Sequence, residues 1–392
     1  MSKDLVSKMN HEMLQLSPSA ILKFNDEVSQ IPGIIPLTLG EPDFATPEHI
    51  KEAAINSINN DQSHYAPTKG TKKLREAAAH FLNSKYDLNY DPETEIIITA
   101  GATGGIYTAL TSILNPGDEV LIPTPIFPLY IPITLLRGAK PVFMDTSKSG
   151  FVLSPAQLEQ TLKYHPKTKA IVLNFPSNPT GKTYNEAALK ELAAILKQHD
   201  IFVISDEIYS ELTYDAKHVS ISNLLPDQTI LLNGVSKSHA MTGWRIGIMA
   251  APKDITSQLE KIDQFTITSP TTNAQFAAAE ALENGSDDAV AMKAEYQKRR
   301  DYVYQELKAL GFEIANPDGA FYIFAKIPAN LIQNSMDFAY DLAWKGKVAV
   351  VPGSAFGPGG EGYVRISYAT SMENLQKAIH NIKEYVANEG KR

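Results

Sequence analysis

From residue 95 onward the chain alternates short apolar runs with amphipathic stretches, and this rhythm constrains its fold more than any other feature. Glu95-Ile96-Ile97-Ile98-Thr99 reads as a buried strand, and Gly104 to Leu114 as a helix. Further strands are expected at 118–123, 140–144, 169–174, 201–205, 229–233 and 246–250. A helix with apolar positions at Leu189, Leu192, Ala193 and Leu196 lies between two of them. Strands alternating with helices predict an α/β fold, a mostly parallel sheet flanked by helices. Ligands then bind beyond the carboxyl ends of the strands.

The texture changes near residue 275. A long charged helix is expected through Met292-Lys293 to Leu310, stopping at Gly311. Short strands at Phe321–Ala325, Val348–Val351 and Tyr363–Ser367 and a final helix from Met372 complete a smaller α+β domain. The expected organisation is therefore an N-terminal segment (1–36), a large domain (37–275) and a small C-terminal domain (276–392). A length of 392 residues accommodates this.

A formal net charge of −8 argues against nucleic acid or an acidic membrane as partner. The absence of cysteine excludes disulfides, thiolate metal sites and a cysteine nucleophile, and no metal site is expected. The opening residues carry Asp4, Lys8 and Glu12 without a continuous apolar run. No secretory or membrane-spanning segment is expected, which leaves the cytoplasm as the default location.

The stretch Gly234-Val235-Ser236-Lys237-Ser238-His239-Ala240-Met241-Thr242-Gly243-Trp244-Arg245-Ile246-Gly247 follows the apolar run Thr229–Leu232. Burial there disfavours the charged form of Lys237. A neutral amine is competent for Schiff-base chemistry with an aldehyde. Small neighbours leave room for a flat ring, and Arg245, eight positions on, can hold an anion. A lysine that bonds an aldehyde beside an arginine that binds a phosphate describes a pyridoxal-phosphate site. A surface lysine in a Ser/Gly turn would account for Ser236-Lys237-Ser238 alone; the longer pattern is far more specific.

Asp206-Glu207-Ile208-Tyr209 ends another apolar run, Ile201–Ile204. An acid facing a pyridine nitrogen keeps that nitrogen protonated. At ~3 Å and an effective dielectric of ~20 the attraction is ~5 kcal/mol before desolvation. Taken alone, the same residues suit a helix N-cap with a core tyrosine. Thr99-Ala100-Gly101-Ala102-Thr103-Gly104-Gly105, between a strand and a helix, reads as a phosphate cradle. A dinucleotide fingerprint is the competing reading; the long region preceding it and the lack of an acid ending the next strand weigh against it. Arg365 alternates with apolar residues in Tyr363-Val364-Arg365-Ile366-Ser367 and needs a carboxylate, from a substrate or from a structural ion pair.

Taken together, these motifs resemble those of the pyridoxal 5'-phosphate-dependent class I/II aminotransferases of the aspartate aminotransferase fold, fold type I among pyridoxal-phosphate enzymes. The bacterial aromatic and N-acetyl-diaminopimelate branch is the most similar. The resemblance runs from about Leu37 to the last helix. It implies that Lys237 carries the cofactor, that Asp206 meets the pyridine nitrogen, and that Tyr209 meets the ring oxygen. It assigns Asn178, in Asn178-Pro179-Thr180-Gly181, to the ring oxygen and the substrate carboxylate. Gly101, Ala102, Thr103, Ser236 and Arg245 would border the phosphate. Phe127 would stack on the ring, although it suits a core position equally well. Gly40 and Arg365 would receive the substrate carboxylate. Tyr65 would reach the phosphate of a neighbouring subunit, which requires a homodimer.

One position departs from the pattern. Many relatives carry serine where this chain has Gly234, so a phosphate bond is lost or passes to Ser236 or Ser238. The implied activity is ping-pong transamination between an aromatic or N-acetyl-diaminopimelate-like amino acid and a 2-oxo acid, with 2-oxoglutarate the expected acceptor. The alternative within the fold is a carbon–sulfur β-lyase. A dedicated dicarboxylate enzyme needs a second cation, and 104–114 contain no lysine or arginine. Lys23 could supply one, whereas Ile21 and Phe127 suit an aromatic side chain.

Overall fold

The computed structural model describes residues 5–14 and 16–390; Asp4 lies outside them. After a two-residue strand β1 (Ile35–Pro36), the apolar runs form β2 (Ile96–Ala100), β3 (Glu119–Thr124), β4 (Lys140–Asp145), β5 (Thr168–Asn174), β6 (Phe202–Asp206), β7 (Thr229–Gly234) and β8 (Ile246–Ala250). These last seven make one sheet in the order β2-β8-β7-β6-β5-β3-β4. Every pairing is parallel except those of β8, which runs antiparallel to both β2 and β7. All six residues of β7 are buried, as continuous apolar runs covered on both faces should be.

The reversed direction of β8 positions the site. Its first residue, Ile246, lies opposite Ala100, and Gly247 lies opposite Gly234. Arg245, just before β8, therefore stands at the same edge as the carboxyl ends of β2 and β7. Lys237, just beyond β7, shares that edge.

Helices cover both faces. The helix Glu186–Leu196 is capped by Asn185, whose Oδ1 accepts from the Ala188 N–H, and buries Leu189, Leu192, Ala193 and Leu196. Burying each such leucine contributes about 1.5–3 kcal/mol. The helix that follows β2 spans Gly101–Ile113, starting three residues earlier than the sequence pattern implies. Gly247 permits this: a Cβ there would sit 2.6 Å from Ala102 N, so the first turn packs directly on β8.

The later part of the chain forms β9 (Glu313–Ile314), β10 (Tyr322–Lys326), β11 (Val348–Ala349), β12 (Val351–Pro352) and β13 (Tyr363–Ser367). A second sheet has the order β12-β13-β10-β9. The run Val348–Val351 is not one strand: β11 pairs with β1, whereas β12 pairs with β13. The charged helix spans Ala289–Ala309 with Gly311 at φ 88°, and the last helix is Met372–Glu389. Phe24, Val28, Ile31 and Leu37 share a core with Phe338, Val348 and Ile379, so the early segment packs on the later part. No helix among the described residues is long and apolar enough to cross a membrane.

Candidate active site

The strand ends converge on a cavity of about 440 Å³. Lys237 enters it and donates from Nζ to the Gly40 carbonyl at 2.6 Å. Nζ also lies 5.6 Å from the centroid of the Tyr209 ring. Burial lowers the ammonium pKa to about 8; Glu41 opposes this shift, and Arg245 and Arg365 reinforce it. Lys237 therefore gives up its proton more readily than an ordinary lysine.

Asp206 is 4% exposed at the end of β6, opposite Asn174 of β5. Its Oδ2 accepts from the Tyr130 hydroxyl at 2.6 Å and its Oδ1 from the Ile208 N–H at 3.2 Å. Burial raises its pKa to about 6, and these two hydrogen bonds hold it back from rising further. An acid in this state favours a cationic partner. The Tyr209 and Tyr322 hydroxyls share a hydrogen bond at 2.8 Å, and burial pushes the Tyr209 hydroxyl pKa well up.

Arg365 is 3% exposed. Its Nη1 donates to Asn178 Oδ1 at 2.9 Å and its Nη2 to the Thr38 carbonyl at 2.5 Å. Nε is buried without a partner, and no carboxylate pairs with this guanidinium among the described residues. The guanidinium stacks 4.5 Å from the Tyr322 ring centroid, and burial lowers its pKa. A buried guanidinium lacking an anion is costly unless a ligand supplies one. Asn178 is itself oriented: its N–H donates to Asn174 Oδ1 at 3.0 Å, while Asn174 Nδ2 donates to the Asp206 carbonyl.

The side of the cavity beside Arg245 is built by the 101–113 helix. This 13-residue helix has no side-chain cap at its N-terminus, so its first N–H groups remain available. Ala102, Thr103, Ser236 and Arg245 line the cavity. Gly101 stands behind Arg245; a Cβ there would lie 2.5 Å from Nη2. Phe127 lines the cavity and meets the Tyr130 ring edge-on at 6.4 Å. A Cβ at Gly40 would sit 2.8 Å from the Tyr322 hydroxyl, so a larger residue there would displace that ring.

Two residues weighed from the sequence, Ser238 and Lys23, fall outside the cavity. Ser238 does not line the cavity; its Oγ bonds the Gly234 carbonyl and His239 Nδ1, leaving Ser236 as the serine at the site. At Gly234 a Cβ would lie 2.9 Å from the Ile246 carbonyl, so the tight β7–β8 approach opposes a larger residue. Lys23 is exposed on its helix and Asn25 enters the cavity instead. Tyr65, 90% exposed, lies beside Ser63, His64 and 269–273 and does not enter its own chain's cavity.

The residues missed by sequence reasoning are Tyr130 and Tyr322, whose hydroxyl partners lie 76 and 113 positions away, and Asn174, which orients Asn178 four positions on.

The family model "Aminotransferase class I and II" matches residues 32–382. A probable N-acetyl-LL-diaminopimelate aminotransferase of Bacillus subtilis is 48% identical over 378 residues, 96% of this chain and 95% of the relative. The aromatic aminotransferase structure from Pyrococcus horikoshii OT3 superposes with a TM-score of 0.88 at 40% identity, covering 93% of this chain and 99% of that one. An aspartate aminotransferase structure from Thermus thermophilus with maleate gives 0.91 at 37% identity, covering 96% and 99%.

Proposed function

Because the chain belongs to the class I and II aminotransferases, pyridoxal-phosphate enzymes that transfer nitrogenous groups, we propose that it moves an amino group from an aromatic or N-acetyl-diaminopimelate-like amino acid to 2-oxoglutarate by a ping-pong cycle. The observation that carries this reading is the buried, anion-less Arg365 guanidinium in one cavity with an amine whose pKa is lowered to about 8. The differing substrates named for the similar proteins leave the donor to this chain's own pocket.

The residues present suit the cofactor. Lys237 would hold it, the open N-terminus of the 101–113 helix with Ser236 and Arg245 would take its phosphate, and Phe127 would cover the ring. Asp206 would face the ring nitrogen, with Tyr209 and Asn178 at the ring oxygen. When bound, pyridoxal phosphate supplies an electron sink for the bond broken at the substrate α-carbon. Arg365 and Asn178 orient the substrate carboxylate, and a planar fork does so identically for every amino acid. Lys237 Nζ, once free, takes the proton from Cα as general base. Asp206, kept as a carboxylate by Tyr130 and the Ile208 N–H, holds a proton on the ring nitrogen.

We further propose that the chain works as a cytoplasmic homodimer in which Tyr65 completes the neighbour's phosphate site. Residues 37–275 would then form the cofactor domain and 276–392 the small domain on which 1–36 pack. A panel of amino donors with 2-oxoglutarate, followed as separate half-reactions, tests the activity. Glutamate formation with accumulation of the donor's 2-oxo acid is expected. Release of pyruvate and a thiol from a cysteine conjugate without glutamate would instead identify a β-lyase.

A further inference from the structure

The helix Ala20–Val28 turns one face to the core and another to the cavity. Phe24 and Val28 are buried, with Phe24 edge-on to Tyr340 at 5.0 Å. Ser19 caps the helix by accepting from the Leu22 N–H at 3.4 Å, and Ile21 packs beside Phe324, Val351 and Phe356. Ile21 and Leu22, with Asn25 one turn further on, are left lining the cavity.

The polar groups on this wall are few. The cations of the cavity are Lys237, Arg245 and Arg365, each placed at the reacting end in the proposed function. Glu41 is the acid beyond Asp206; it accepts from Thr242 Oγ1 at 3.0 Å and lies close enough to favour the charged form of Lys237. Asn25 Oδ1 is different. It is buried and has no hydrogen-bond partner. Buried acceptors are almost always satisfied, and this one belongs to a side chain that lines the ligand cavity.

Resting on the transamination reading, we propose that Asn25 is a specificity-determining residue whose carboxamide binds a neutral hydrogen-bond donor on the substrate side chain. An N-acylated amine or a phenolic hydroxyl would provide it. Apolar Ile21 and Leu22 accept the stem that carries the donor. A polar pocket of this kind discriminates by leaving its own group unpaired when the donor is missing.

The test compares substrates matched in shape but differing in the donor: tyrosine against phenylalanine, and Nε-acetyl-lysine against 2-aminononanoate. Wild-type holoenzyme should favour the donor-bearing member of at least one pair by roughly tenfold or more in kcat/KM, as expected for one lost buried bond. The pair that discriminates identifies the source of the donor. In Asn25→Leu that ratio should fall to within about twofold of unity, with the apolar member kept within about threefold of wild type. Asn25→Ala serves as the second variant if the leucine disturbs the helix. Calorimetric Kd values for 3-(4-hydroxyphenyl)propionate and 3-phenylpropionate, and for 6-acetamidohexanoate and nonanoate, give a readout independent of turnover. Ratios near unity in wild type, ratios that persist in both variants, or a preference for lysine over Nε-acetyl-lysine would overturn the assignment. If no donor passes nitrogen to 2-oxoglutarate, the transamination reading fails, and the calorimetric ratios still judge Asn25.

Discussion

Tyr130 donates its hydroxyl to Asp206 Oδ2 across 2.6 Å of buried space, from the opening residue of one helix to the last residue of β6. This hydrogen bond favours the ionised carboxylate in a setting where burial alone favours the neutral acid. Tyr130→Phe should therefore raise the Asp206 pKa beyond its present value near 6. The acidic limb of the kcat/KM profile should move to higher pH. Turnover at neutral pH should fall about tenfold, the value of one charge-assisted bond. A profile superimposable on wild type would contradict this role.

Arg365 should be irreplaceable by lysine. Arg365→Lys keeps the charge but loses the fork that meets Asn178, Thr38 and a carboxylate together. A loss of about 10²–10³ in kcat/KM is expected, mainly through KM, as for truncating one partner of a buried charge pair. Circular dichroism should show the variant folded. Unchanged KM for every donor would place the substrate carboxylate elsewhere.

Lys237 gives a pH signature before any substrate is added. With its pKa near 8, covalent capture of pyridoxal phosphate by cofactor-free protein should accelerate as pH rises through 8, well below the ordinary lysine range. The folded state binds this proton more weakly than the unfolded chain does. The lysine's destabilising effect is therefore complete below about pH 8 and is relieved as pH rises towards 10.5. Borohydride trapping followed by peptide mass spectrometry should place the adduct on Lys237. An adduct on another lysine would refute the assignment.

Tyr65 tests assembly. If it completes a neighbour's site, mixing Tyr65→Phe with Lys237→Ala subunits yields heterodimers with one doubly damaged site and one intact site. Activity should rise above that of either parent, provided subunit exchange is verified and Tyr65→Phe is itself impaired. Verified heterodimers without rescue would show that each chain is self-sufficient.

Much of this arrangement was legible because burial leaves continuous apolar runs. The seven main strands, Lys237 beyond β7 and Asp206 closing β6 all follow from such runs and what terminates them. Tyr130 and Tyr322 were not legible. A tyrosine beside a proline-rich loop or within a core strand looks like packing until its hydroxyl partner, 76 or 113 positions away, is known. Val348–Val351 shows a similar limit: periodicity reports burial but not which sheet a strand joins, and here the run divides between two. Asn25 has no motif around it, and only an unmet acceptor distinguishes it from any other helix residue.

The backbone carbonyls of Thr38 and Gly40 hold Arg365 and Lys237 respectively, and both lie in the strip that leaves β1. That strip is anchored at Leu37, whose N–H donates to Ala349 and whose carbonyl accepts from Ser367. Substrate grip and amine placement thus hang from a single tether. A substitution that loosens it, even one far from the cavity near Val348, would degrade affinity and turnover in step. Directed evolution seeking either property alone would have to leave residues 37–40 untouched.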